Sequence, residues 1–259
     1  MLGAIAGDVI GSVFERARTK RTDFDLFNEN STFTDDSVLT LAIADALLTG
    51  SSYTEKLQEY GRRYPNAGYG GKFYRWIFSP TPAPYGSWGN GSAMRVSPIA
   101  YAFEDIETVL KEAKASAEVT HSAPEGIAGA QATAAAVFLA RQGSSKDEIK
   151  DYVEKTFSYD LSTSIDSIRP SYSFDVSCQG SVPQALRCFY EAKDVEEAIR
   201  LAISLGGDAD TQACIAGAVA EAFFGPLPDE LATPVLARLD EKLRNLYFDF
   251  MKRFTSQSD

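Results

Sequence analysis

The stretch SLGGDADTQACIAGAVAEAFFG, residues 204–225, sets two aspartates and a threonine at the mouth of an alanine-rich apolar run. The run has the length and composition of a buried helix, and the two glycines before it permit a tight entry turn. Capping explains one aspartate there, because a carboxylate accepts the unpaired N–H groups of a first helical turn. It does not explain why the pattern recurs. In FTDDSVLTLAIADALLTG, residues 33–50, Thr34, Asp35 and Asp36 again precede an apolar helix. Four carboxylates gathered at buried helix starts would repel one another and resist ionisation. A divalent cation removes the conflict. If the two helices converge, Thr34, Asp35, Asp36, Asp208, Asp210 and Thr211 form an all-oxygen shell suited to Mg²⁺ or Mn²⁺. Neighbouring residues diverge around a helix, so paired aspartates suit two ions as well as one. One histidine and three scattered cysteines are a poor basis for zinc. DADTQACIAGAV lacks the glycine and the later glutamate of a calcium-binding EF-hand loop.

Working outward, the spacing of apolar residues predicts helices over parts of 2–15, 36–49, 54–64, 92–103, 106–119, 124–141, 145–156, 181–190, 194–204, 210–224 and 234–253. Long irregular stretches are expected at 16–34, 65–91 and 157–180, and loops of that length tend to be functional. No composition shift divides the chain, so one all-α domain over 1–259 is expected. A net charge of −11 argues against a partner read through its phosphate backbone and against an anionic membrane surface. The odd cysteine count fits a reducing compartment. The apolar N-terminus lacks a basic leader, and no window has the length of a membrane span. A soluble, cytoplasmic monomer is the expectation.

The segments GAIAGDVIGSVFE, FTDDSVLTLAIADALL, GNGSAMRVSPIA, THSAPEGIAGAQATAAAV and ISLGGDADTQACIAGAVAEAFFG, in order from residue 3 to about 228, resemble the motifs of the ADP-ribosylglycohydrolase family, typified by dinitrogenase reductase-activating glycohydrolase. The resemblance implies a compact all-α fold around a central binuclear Mg²⁺ or Mn²⁺ site. It also implies hydrolysis of the bond between C1″ of ADP-ribose and an acceptor, protein arginine first, with serine or free ADP-ribosyl metabolites as alternatives and a non-catalytic ADP-ribose binder as a further reading. Thr34, Asp35 and Asp36 become the first ligand group, and Asp208, Asp210 and Thr211 the second. Glu15 matches an acidic residue beside the metals and, with Asp35 and Asp36, is expected to serve catalysis. Asp8 is expected behind the ligands, hydrogen-bonding one of them.

Gly89, Asn90, Gly91 and Ser92 precede a helix, where backbone N–H groups suit a diphosphate. The order matches neither a Walker loop nor a dinucleotide fingerprint, and by itself the segment is better read as a plain turn. The resemblance makes it the diphosphate and distal-ribose loop, with Met94 and Arg95 as structural neighbours. It also places His121 near the ligand, although a lone histidine without a nucleophile is ordinarily structural. Tyr69 and Gly70, in NAGYGGKFYRWIF, are expected to contribute a binding loop, its aromatics stacking on a base or plugging the core. Cys178 and Cys214 are expected in the core, and Ser181 as the cap of a helix. The acidic residue that arginine-specific members carry near the scissile bond has no secure equivalent, Asn90 and Asp105 being the nearest guesses.

Overall fold

The computed structural model describes residues 1–255, so residues 256–259 of the expected 1–259 domain lie outside the description. The described chain is helical: α1 (Leu2–Gly11), α2 (Asp35–Thr49), α3 (Tyr53–Arg63), α4 (Gly71–Ile77), α5 (Gly91–Met94), α6 (Ile99–Ala102), α7 (Ile106–Glu118) and α8 (Pro124–Arg141) make the first half. Then follow α9 (Lys146–Phe157), α10 (Ile165–Ile168), α11 (Cys178–Glu191), α12 (Val195–Ser204), α13 (Ala209–Phe224), α14 (Asp229–Arg238) and α15 (Glu241–Thr255). Among the described residues there is no strand, and an isolated antiparallel bridge joins Gly89 to Ser177.

Short polar side chains start most of these helices. Ser52, Asp105, Ser145, Ser164, Ser177 and Asp194 each accept an N–H of the first turn. Ser145 and Glu148 complete a reciprocal capping box. Several boundaries depart from expectation. The first helix stops at Gly11, and the following turn carries Glu15. The expected 92–103 helix is two short pieces, because Pro98 has no N–H to continue the ladder. Helix α11 begins at Cys178 and is capped by Ser177, while Ser181, expected as the cap, bonds back to the Ser177 carbonyl at 2.6 Å. The expected 234–253 helix divides at Leu239 and Asp240, where Asp240 accepts the Leu243 N–H at 2.9 Å and starts a new helix. Helices α4 and α10 lie inside stretches expected to be irregular.

Every residue of α1 is buried, as are thirteen consecutive residues of α13, Ala209 to Glu221. A helix apolar on all sides belongs at the centre of a domain, and these two form the hub. They run antiparallel with their backbones in contact. A Cβ built on Gly3 would stand 2.2 Å from the Gly217 carbonyl oxygen, one on Gly7 2.1 Å from the Ala213 oxygen, and one on Gly11 2.5 Å from Asp210 Cα. Only glycine on α1 allows this approach. The pairing sets the end of α1, with Asp8, beside the start of α13, with Asp210. Buried apolar residues from Met1 to Phe250 form a cluster around this hub.

Candidate metal centre and cleft

The starts of α2 and α13 converge at one end of the α1–α13 pair. Oxygens of Asp8, Asp36 and Asp210 lie within 4.8 Å of one another, and so do oxygens of Glu15, Asp208 and Asp210. Asp210 belongs to both groups. The threonines close on the same point: Thr34 Oγ1 is 3.3 Å and Thr211 Oγ1 3.4 Å from Asp36 Oδ2. Asp36 Oδ1 is buried and has no hydrogen-bond partner among the described residues. Asp208 occupies the cap position of α13, yet its side chain caps nothing. Its Oδ2 instead accepts from Asn90 Nδ2 at 2.8 Å.

Burial is the main reason these carboxyls resist ionisation, and their neighbours add to it. Asp36 and Asp210 are pushed well above the usual carboxylate range by desolvation, then by Asp210 and Asp8 in the case of Asp36 and by Asp208 and Asp8 in the case of Asp210. Asp35 is raised to about 8 and Asp208 to about 6, burial again leading. Asp8, Asp35, Asp36, Asp208 and Asp210 form no ion pair among the described residues. An all-oxygen donor set, an orphaned buried carboxylate oxygen and two three-carboxylate groups sharing one member fit divalent cations of the Mg²⁺ type.

Asp8 is saturated by the protein itself. Its Oδ1 accepts from Thr34 Oγ1 at 2.6 Å, and its Oδ2 from the N–H groups of Thr34 and Ser37 at 2.9 and 3.0 Å and from the Ser37 hydroxyl. It therefore fixes the start of α2 and aims Thr34, the supporting place anticipated for it. Asp35 lines the cleft with Asp36, Asp208 and Asp210, feels the charges of Asp8 and Asp208, and lies beside Gly68, where an added Cβ would come within 3.2 Å of Oδ1.

From this cluster a cleft of about 410 Å³ opens past the glycine turn at 89–91, and Glu15, Asp35, Gly70, Asn90 and His121 are among its walls. The turn is tied on both sides. Asn90 N donates to Val176 O at 2.8 Å, Cys178 N to Trp88 O at 3.0 Å, and Tyr85 N to Thr120 O at 3.3 Å. Asn90, on the cleft wall, uses its Nδ2 to orient Asp208 and to reach Ser181 at 3.2 Å. Two expectations change here. The Ser92 hydroxyl donates to Gly126 O at 2.6 Å and Ser92 is wholly buried, because the turn has wound into α5 and carries the side chain inward. Tyr69 packs on Phe73 at 5.4 Å between centroids with its hydroxyl buried and unpartnered, so its ring belongs to the core side of the loop rather than to the cleft wall. Arg95, expected as a structural neighbour of the turn, lines the cleft, and Thr120 and Ser37 support the site without having stood out in the sequence. Phe174 and Val176, exposed at the rim, and Lys72 also face the cleft.

A family model described as ADP-ribosylglycohydrolase matches residues 1–258. The chain belongs to the ADP-ribosylglycohydrolase family. It is thereby a glycosidase-type hydrolase. Curated relatives named ADP-ribosylhydrolase ARH3 include one from Danio rerio, 28% identical with 95% of this chain and 88% of the relative covered. Another, from Bos taurus, is 29% identical with 87% and 84% covered. A solved structure described as an ADP-ribosylglycohydrolase-related protein complex superposes with a TM-score of 0.70 at 25% identity, covering 97% of this chain and 96% of that one. The ADP-ribosylglycohydrolase chain has no helix among its described residues that is long and apolar enough to cross a membrane.

Proposed function

We propose that this ADP-ribosylglycohydrolase hydrolyses the C1″ bond of ADP-ribose to a serine side chain or a small-molecule acceptor, using two Mg²⁺ or Mn²⁺ ions. The observation that carries the reading is the pair of three-carboxylate groups sharing Asp210 at the end of a cleft whose wall is a glycine turn. Bound there, the ions would hold sugar hydroxyls and acidify a water. Thr34, Asp35, Asp36, Asp208, Asp210 and Thr211 are the proposed ligands. Glu15 lines the cleft beside them. Asn90 keeps Asp208 oriented, and Asp8 keeps Thr34 oriented. In the reaction a water oxygen joins C1″, the C1″–acceptor bond breaks with oxocarbenium character, and the acceptor regains a proton. Glu15, half-buried at the cleft wall, is the proposed carrier of that proton.

The two curated relatives described above, both named ADP-ribosylhydrolase ARH3, support this acceptor class over arginine. Of the two residues nearest to the acidic position of arginine-specific members, Asn90 is neutral and donates to Asp208, and Asp105 is an exposed residue that caps α7 through Thr108 at 2.8 Å. The test is a panel of arginine-linked peptide, serine-linked peptide and free ADP-ribosyl metabolite, each incubated with the protein and Mg²⁺. Release of ADP-ribose from the second or third is expected. Release from arginine alone would reverse the assignment, and binding without release would make the protein a sensor.

A further inference from the structure

Residues 60–103 contain five Lys or Arg and no Asp or Glu, so all 36 acidic residues of the chain lie elsewhere. The segment runs from the end of α3 through α4 to the glycine turn, α5 and α6, and it supplies a large part of the cleft lining. Three of its five cations are already used. Arg95 is wholly buried, Arg62 Nε donates to Ile77 O at 2.9 Å, and Arg63 pairs with Glu59 at 3.1 Å. Lys72 and Arg75 are exposed and form no ion pair among the described residues.

Both belong to α4, whose orientation is fixed. Phe73, Trp76 and Ile77 make its buried face, and Gln58 of α3 donates to Trp76 O at 2.9 Å and to Ser79 O at 3.0 Å. Helical spacing then sets Lys72 beside Arg75, and Tyr74 beside Phe78 at the cap, on the outer surface. The two rings, 44% and 49% exposed, lie 5.2 Å apart between centroids. Aromatic and basic side chains left together in solvent are what a protein partner covers. The helix also adjoins the carboxylate centre. Asp35 N donates to Ala67 O at 2.8 Å, which ties the strand of chain leading into α4 to the start of α2, and Lys72 itself lines the cleft.

We infer that the outer face of α4 docks the polypeptide that carries the ADP-ribose, with Lys72 and Arg75 drawing its acidic side chains and Tyr74 and Phe78 covering apolar ones. Taking the acceptor to be a protein serine rests on the proposed function, whereas the docking needs no turnover. A peptide suits this face better than a nucleic acid does. One short helix carries the free cations, and a long polyanion would run on past it over a surface that holds every acid of the chain.

The probe is a fluorescein-labelled peptide rich in Glu and Leu and free of ADP-ribose, compared with a counterpart carrying Lys for Glu and with a single-stranded oligonucleotide. Fluorescence anisotropy with the intact protein in Mg²⁺ should show preferred binding of the acidic peptide, weakening as salt rises. Arg75→Glu should raise its Kd about three- to tenfold, the scale of an exposed ion pair turned repulsive. Arg75→Lys should restore it, and neither change should alter the Kd for free ADP-ribose. Phe78→Ser should weaken the acidic and basic peptides alike. Equal binding of the two peptides, an Arg75→Glu variant that binds as wild type does, or tighter binding of the oligonucleotide would overturn the docking surface. Self-association that Arg75→Glu abolishes would overturn it in favour of a second copy of the chain. Serine-linked ADP-ribosyl versions of the two peptides separate this inference from the reading beneath it. Faster release from the acidic one is expected, and equal kcat/KM despite selective docking would overturn the use of the face in presenting the acceptor. Selective docking with no release from either would count against the proposed function alone.

Discussion

Asp210 is the residue on which the two carboxylate groups depend, since it is the member they share. Replacing it with asparagine keeps size and removes one charge from a site with no resident counter-charge. Asp210→Asn should therefore lower turnover by on the order of a thousandfold or more and abolish stabilisation by Mg²⁺. Without metal, the same variant should unfold at a higher temperature than wild type, because repulsion inside the cluster is relieved. A thermal melt in EDTA and in Mg²⁺ checks both signs, and a variant that melts lower than wild type in EDTA would contradict the electrostatic account. The threonine–aspartate doublets were legible in the sequence because each is a local pattern ahead of an apolar run. What braces them was not. Asn90 and Asp208 are 118 positions apart, and nothing near Asn90 indicates that its amide is claimed by a carboxylate rather than by a ligand.

At the level of elements, the close contact of α1 and α13 is what turns two separated motifs into one centre. By propensity alone the glycines of LGAIAGDVIG weaken a helix. Their use exists only in the presence of the partner backbone, so no inspection of the first segment could assign it. Gly7→Ala should destabilise the protein by about 3 kcal/mol or more, since its methyl would lie 2.1 Å from a carbonyl oxygen and the helices must part. In a chain of this length that is a melting shift of roughly 6–12 °C. Gly71→Ala, where nothing lies within 4 Å of the added methyl, is the control and should leave the melting temperature nearly unchanged. Gly11→Ala pushes on Asp210 itself and should in addition reduce the stabilisation gained from Mg²⁺. Equal small effects at Gly7 and Gly71 would show that the helices do not touch as described. The long buried helices were legible because their apolar runs are long. Helix α4 was not, since it has seven residues between a glycine-rich and a proline-rich stretch, and the divided helices near Pro98 and Asp240 read as continuous because apolar spacing carries across a break.

For the molecule as a whole, a net charge of −11 is compatible with folding as long as the acids stay in water. The fold instead desolvates several of them together, which ties stability to both pH and metal. A carboxyl whose pKa is higher in the folded than in the unfolded chain holds more protons when folded. Stability then falls as pH rises from the unfolded value near 4 through the folded one. With Asp208 at about 6 and Asp35 at about 8, the metal-free protein should lose melting temperature steadily between pH 5 and about 8.5. Divalent ions bind the deprotonated form, so Mg²⁺ should act in the opposite sense and most strongly at the alkaline end. Two sites each held at a hundred times Kd contribute about 5 kcal/mol, a rise on the order of 10 °C. Melting curves across that pH range in EDTA and in excess Mg²⁺ should diverge as pH rises. A metal-free curve that climbs toward pH 8, or two curves that stay parallel, would mean that the carboxylates do not share a buried, cation-ready site.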